Sequence, residues 1–146
     1  MLTIENKRTE TGSPTDAKVV ESGTELYFPS GLLGFELNKQ FELVTDPELS
    51  PYQWLKGMDA DQSFLVIPPS YVVENYTIDL ADEDVALLGL ENPDDAVVLN
   101  IATYHVDETV TVNLKGPLVY NTITKAARQV VPRNAADLSL AHPMGN

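Results

Sequence analysis

Hydrophobic and polar positions alternate with a period of two along much of this chain. Val110, Val112 and Leu114 alternate with Thr109, Thr111 and Asn113, which places one face of a strand in a core. Gly116-Pro117 then breaks the ladder, because Pro117 brings no N–H and Gly116 gives the backbone room to turn. A second apolar run, Leu118 to Tyr120, follows at once. The same reading predicts strands at Thr24–Phe28, Phe41–Val44, Pro51–Leu55, Ser63–Ile67, Tyr76–Asp79 and Ala96–Val106. Turn chemistry separates them at Asp46-Pro47, Gly57–Gln62, Pro68-Pro69, Asn92–Asp95 and Asp107-Glu108. Ser63–Ile67 is continuously apolar, so it is expected to be central and buried on both faces.

One stretch changes period. In Ala81–Leu90, Val85, Leu87 and Leu88 can share a helical face, and Asp82, Glu83 and Asp84 fall in the first turn, where the helix dipole favours anions. Ile123–Val131 stays open between helix (Ala126-Ala127-Arg128) and strand (Gln129-Val130-Val131). About eight or nine short strands with one helix predict a mainly β fold, a small antiparallel barrel-like or sandwich-like domain. Residues 24–132 form that single domain. Residues 1–23, polar and without periodicity, read as a flexible leader, and residues 133–146 as a loosely held tail with a turn of helix at Ala135–Leu140.

Phe28–Glu36 (FPSGLLGFE) is denser in meaning than its length suggests. Pro29-Ser30-Gly31 is turn chemistry, and Gly34 allows a second reversal. Leu32, Leu33 and Phe35 carry too much apolar surface for a free loop. They are expected to plug the core, the alternative being an exposed docking patch.

Charge alters the picture more than its total of −13. Between Gly57 and Leu114 there are twelve Asp and Glu and not one Lys or Arg, until Lys115 closes the interval with a solvated, snorkelling charge. Phosphate backbones are held by Lys and Arg, so direct nucleic-acid binding is not expected here, and an anionic membrane surface is disfavoured for the same reason. The interval is either a solvated face or a surface for a basic protein, with Glu74, Asp79, Asp82, Glu83, Asp84, Asp94 and Asp95 as candidate contacts. A chain of this length buries a sizeable core unaided, and with no cysteine it uses no disulfide. It shows no run of signal-peptide or membrane-spanning type, so a cytoplasmic location and a free monomer are expected.

Catalytic and metal chemistry find little support. His105 lies in a predicted strand and His142 in the tail, and no nucleophile elbow or phosphate-binding glycine loop occurs. Asp59-x-Asp61 and Asp82-Glu83-Asp84 lack the glycine and distant glutamate of a calcium loop. No enzyme, cofactor or metal is expected. The rival reading is a small-ligand barrel with Tyr52, Trp54, Asn100 and Tyr104 lining its pocket. A hydrolase built around His105 stands third.

FPSGLLGFE (Phe28–Glu36), Tyr52-x-Trp54-Leu55, SFLVIPP (Ser63–Pro69) and NLKGPLVYN (Asn113–Asn121) fall in the order and spacing of the flagellar assembly factor FliW family, which the chain resembles over roughly residues 24–144. Phe28, Pro29, Gly31, Gly34, Phe35, Asn113, Leu114, Gly116, Pro117 and Asn121 carry the resemblance as structural positions. The tail segment Leu138–Met144 resembles that family's closing motif. The chain departs from it at Pro68, where an acid is usual, at Gly116 (alanine), Leu138 (an aromatic) and Ala141 (a base). Its C-terminal region is basic rather than acidic, with four bases to one acid from residue 115 onward.

The resemblance implies a small β-barrel-like cytoplasmic protein that binds flagellin. When flagellin is exported, such a protein instead binds and antagonises the RNA-binding translational repressor CsrA. On that reading the acidic interval supplies the potential complementary to CsrA's basic surfaces. Flagellin then takes a different, more apolar surface, for which Leu32, Leu33 and Phe35 are the one candidate.

Overall fold

The alternation along Ala96–Tyr104 serves two cores rather than one. In the computed structural model, which describes residues 2–7, 23–58 and 62–144, this strand is β7. The strands in chain order are β1 (Leu2–Lys7), β2 (Thr24–Tyr27), β3 (Gln40–Thr45), β4 (Gln53–Gly57), β5 (Ser63–Ile67), β6 (Asn75–Leu80), β7 (Ala96–Tyr104), β8 (Val110–Val112), β9 (Leu118–Asn121), β10 (Ala127–Gln129) and β11 (His142–Pro143). The single α-helix among the described residues is α1 (Asp82–Leu88). Ala96, Val98 and Ala102 join one buried cluster, while Val97 and Leu99 join the other. β5 divides in the same way, with Ile67 in the first cluster and Val66 in the second. The continuous apolar run in β5 is thus a strand with a core on each side.

The strands form a two-stranded ribbon, β1–β6, and an antiparallel nine-stranded sheet ordered β10-β9-β7-β5-β4-β3-β2, with β8 pairing β7 and β11 pairing β8. The ribbon brings Ile4, Tyr76, Ile78 and Leu80 onto one face of the sheet, and α1 adds Leu88. The opposite face curls around Phe28, Leu32, Phe41, Leu43 and Leu55, where Phe28 and Phe41 meet edge to face at 5.2 Å. The architecture is mainly β and sandwich-like.

The sheet stops short of a closed barrel, and the sequence holds the reason. Its two end strands meet at one parallel bridge, Tyr27 with Ala126, where the Tyr27 N–H donates to Lys125 O at 3.0 Å. The next position with its backbone on that side is Pro29, which has no N–H to continue a ladder.

Two expectations for the chain ends change. Leu2–Lys7, expected to belong to a flexible leader, pairs antiparallel with β6 from Leu2↔Leu80 to Lys7↔Asn75 and buries Ile4. Two apolar residues, Leu2 and Ile4, make too short an alternation to mark a strand, so only the partner strand reveals the element. Residues 8–22 of the expected leader lie outside the described residues, as does the acidic pair Asp59 and Asp61. The tail is held as well. β11 pairs with β8, Leu114 N–H donates to Ser139 O at 2.8 Å, and Leu138 and Met144 pack on the first core. A 3-10 turn stands at Ala135–Asp137, and the open stretch Ile123–Val131 resolves as strand β10.

Asn121, one of the motif positions, ties α1 to this frame. Its buried Nδ2 donates to Leu88 O at 2.9 Å and Gly89 O at 3.2 Å, taking two carbonyls that the helix end leaves free. Its Oδ1 accepts from Ile123 N–H at 2.9 Å and Thr124 N–H at 3.4 Å. Asn121→Ala is expected to lower unfolding free energy by about 2 kcal/mol, because it leaves buried groups unpaired. Urea denaturation measures the change.

Candidate partner-binding surfaces

The Phe28–Glu36 motif forms the connection between β2 and β3. Phe28 N–H donates to Lys39 O at 2.7 Å and closes its base, and inside it two tight turns follow one another. Phe35 N–H donates to Leu32 O at 2.7 Å, and Asn38 N–H to Phe35 O at 3.1 Å. Gly31 and Gly34 take the left-handed conformations (φ 66° and 86°) on which this path depends. Turn geometry then sorts the apolar side chains. Leu32 is 1% exposed and sits in the second core, but Leu33 at the corner of the first turn is 67% exposed. Phe35 is 37% exposed, its ring edge against Phe64 at 5.2 Å, and Leu37 is 94% exposed. The expectation that all three motif side chains plug the core is therefore corrected for Leu33 and Phe35. A turn reverses the chain within four residues, so neighbours in sequence point to opposite environments.

The second motif turn, Asn113–Pro117, is organised by its own asparagine. Asn113 Oδ1 accepts from Lys115 N–H at 3.0 Å and Gly116 N–H at 2.8 Å, while Lys115 itself is exposed. β10 joins the two motif turns. Gln129 Nε2 donates to Gly116 O at 3.1 Å, and its Oε1 accepts from Leu33 N–H at 3.0 Å. Its neighbour Arg128 reaches Ser30 Oγ at 3.3 Å and pairs through Nε with Asp84 Oδ1 at 2.8 Å. Lys39 Nζ donates to Pro29 O at 2.8 Å. The Leu33 loop is held at several points. Gln129 and Arg128 lie in the stretch whose element stayed open in the sequence, so no periodicity marked them.

The candidate acids divide. Asp84 is buried and engaged with Arg128, and burial raises its pKa while the guanidinium offsets part of that rise. It points toward the body of the protein and leaves the candidate surface. Asp79 is half-buried and accepts from Thr3 Oγ1 at 2.9 Å. Glu74, Asp82, Glu83 and Asp94 are exposed, and Asp95 is half-buried. Glu74 precedes β6, Asp79 lies in it, Asp82 and Glu83 stand in the first turn of α1, and Asp94 and Asp95 in the 3-10 turn Pro93–Asp95. Leu87 is exposed, and Leu88 alone of the helix's apolar residues is fully buried.

The residues of a ligand pocket do not converge. Asn100 is fully buried, donating to Tyr76 Oη at 3.3 Å and Asn113 O at 2.9 Å, whereas Tyr104 stands exposed at the far end of β7. A surface groove beside β2 is lined by Tyr27, Gln40, Met58 and Lys125 and by none of the four expected residues. His105 Nε2 hydrogen-bonds Thr111 Oγ1 at 2.8 Å. Among the described residues no cluster of His, Cys, Asp or Glu is placed to hold a metal, and no helix is long and apolar enough to cross a membrane.

Comparison with known proteins agrees with this geometry. A family model described as FliW protein matches residues 4–144. A flagellar assembly factor FliW of Natranaerobius thermophilus is 31% identical over 122 residues, covering 82% of this chain and 80% of that protein. One from Geotalea uraniireducens is 35% identical over 114 residues, covering 77% and 69%. A crystal structure of the flagellar assembly factor FliW superposes with a TM-score of 0.73 at 29% identity, covering 82% of this chain and 84% of that one.

Proposed function

The chain belongs to the FliW family, and from that premise we propose that it is a cytoplasmic flagellar assembly factor working by partner exchange. It binds flagellin. When flagellin is exported, the released protein binds CsrA and weakens that repressor's hold on mRNA, so flagellin translation follows flagellin export. The observation that carries the second half of this reading is electrostatic. The stretch from Gly57 to Leu114 has twelve acids and no base, and Glu74, Asp82, Glu83 and Asp94 in it are exposed.

An RNA-binding repressor is basic where it meets phosphate, so it is steered toward such a surface. Complementary potential of this kind raises the association rate and fixes orientation more than it adds affinity. A bound acidic domain also lowers the potential that RNA phosphates meet nearby. Two partners of different chemistry call for two surfaces, and the exposed apolar loop lies in a different part of the chain from the acids.

The test is binding of purified CsrA and purified flagellin to this protein. Between 50 and 500 mM salt, where the screening length falls from over 10 Å to a few Å, CsrA association is expected to slow about tenfold or more. Glu74→Lys with Glu83→Lys is expected to slow it similarly at low salt. Absence of binding to both partners would remove the reading, and a salt-independent rate would remove its electrostatic half.

A further inference from the structure

We infer that residues 138–144 form a releasable strap, which opens as one unit from a body that stays folded and turns β8 from a covered strand into a free sheet edge. This is independent of the partner-exchange reading above and goes beyond it. The way the chain is held changes at the 3-10 turn Ala135–Asp137. Before the turn the chain is fixed to β6. Arg133 N–H donates to Asp79 O at 2.8 Å, Asn134 Nδ2 donates to Thr77 O at 2.8 Å, and Asn134 Oδ1 accepts from Asp79 N–H at 3.0 Å. Pro132 and Ala135 are buried there. Beyond the turn no residue from Ala136 to Met144 is fully buried, and Leu140 is 66% exposed.

The strap is held along one edge. Leu114 N–H donates to Ser139 O at 2.8 Å, Met144 N–H donates to Val110 O at 2.9 Å, and His142 lies opposite Val112 between them. Leu138 and Met144 lay half-buried side chains on the first core. A segment with few buried apolar contacts and solvent-exposed backbone bonds opens locally, at a free energy well below that of global unfolding. Ordering each residue of the strap costs backbone entropy, which only its few contacts together offset, so it is held or released as a whole.

β8 uses its two edges differently. Thr111 pairs with Thr103, and Asn113 N–H donates to Ile101 O at 2.9 Å, so these residues bond β7. Val110, Val112 and Leu114 bond the strap. Opening therefore frees every second residue's backbone groups on β8 and leaves its ladder with β7 intact. An unpaired edge of β-branched residues is a template for pairing with another strand. With the strap closed, that edge ends instead on β11. There Met144 N–H faces β8, so the backbone of Pro143 faces outward and has no N–H to offer.

Native-state hydrogen exchange on the full chain, in urea below the unfolding transition, tests the strap. Asn113 and Leu114 are neighbours bonded to different partners, so their amides separate body from strap. The amides of Leu114 and Met144 are expected to share one protection factor, lower than that of Asn113 by about a hundredfold or more. Equal protection of all three would make the segment part of the cooperative body. A Met144 amide far less protected than Leu114 would show fraying from one end. Either result overturns the inference. A covalent lock supplies a second measurement. Thr111 and Pro143 pair where no backbone bonds join them directly, a position with Cα atoms about 4.5 Å apart, which suits a disulfide. The parent chain has no cysteine to compete. In Thr111→Cys with Pro143→Cys, oxidation is expected to raise the protection of Leu114 at least tenfold over the reduced form and to leave Asn113 unchanged. Equal protection of Leu114 in the oxidised and reduced forms would overturn the inference as well.

Discussion

Raising the pH from 9 to 12 is expected to remove on the order of 5 kcal/mol of folding stability, most of it through two tyrosines. Burial pushes the hydroxyls of Tyr76 and Tyr120 up to about 12 from an ordinary 10, with a hydrogen bond from Asn100 offsetting a little of the rise at Tyr76. In the unfolded chain both ionise near pH 10. Between the two values the folded state holds more protons than the unfolded state, so stability falls as pH rises. The stabilisation is complete below about pH 10 and is lost progressively toward pH 12. Two units at about 1.4 kcal/mol per unit give between 2 and 3 kcal/mol per tyrosine. Urea midpoints at pH 9, 11 and 12 measure the loss, and Tyr120→Phe should remove about half of the slope. Tyr76 also donates to Leu114 O, so its ionisation breaks a bond that pins the second motif turn as well.

Gly31→Ala is expected to cost about 3 kcal/mol or more, through two additive effects. A left-handed residue with a Cβ is strained by about 1 to 2 kcal/mol. Here that Cβ would also lie 2.5 Å from Glu36 Cα and O and 2.7 Å from Glu36 C, so backbone must move. The moving segment carries Phe35 and Leu37. For a domain of this size the loss corresponds to a melting temperature lower by very roughly 10 °C. Gly34→Ala is the informative comparison, since nothing lies within 4 Å of its Cβ and only the conformational cost remains. Thermal melts of both variants should differ by more than their similar φ values suggest. Equal shifts would show that the contact with Glu36 relaxes at little cost.

Particular residues show where the sequence was legible. The strands at Phe41–Val44, Ser63–Ile67 and Ala96–Val106 were visible because buried backbone must pair and a sheet demands a period of two. The helix at Ala81–Leu90 was visible from the change in that period. Its Asp84 was misread because an acid in a first helical turn has an ordinary explanation at the surface, and only the approach of Arg128 from β10 gives it a buried partner. β1 is not legible because two inward side chains, Leu2 and Ile4, make too short a pattern until β6 lies beside them. Leu33 and Leu37 face outward although they are apolar, because hydrophobicity states what a side chain prefers and a turn decides where it points.

The class of fold, the two-sided burial of Ser63–Ile67, the acidic interval and, through four motifs in register, the family are all legible from the residues alone. These are properties of local pattern and composition, which each residue carries wherever the chain goes. Only the tertiary structure decided that the sheet stays open at Pro29, that Gln129 joins the two motif turns, and that Leu33 and Leu37 face outward while Asp84 faces in. The Gln129–Leu33 and Arg128–Ser30 contacts join segments 96 and 98 residues apart, and Arg128 meets Asp84 across 128 − 84 = 44 residues; no periodicity along the chain encodes such a contact.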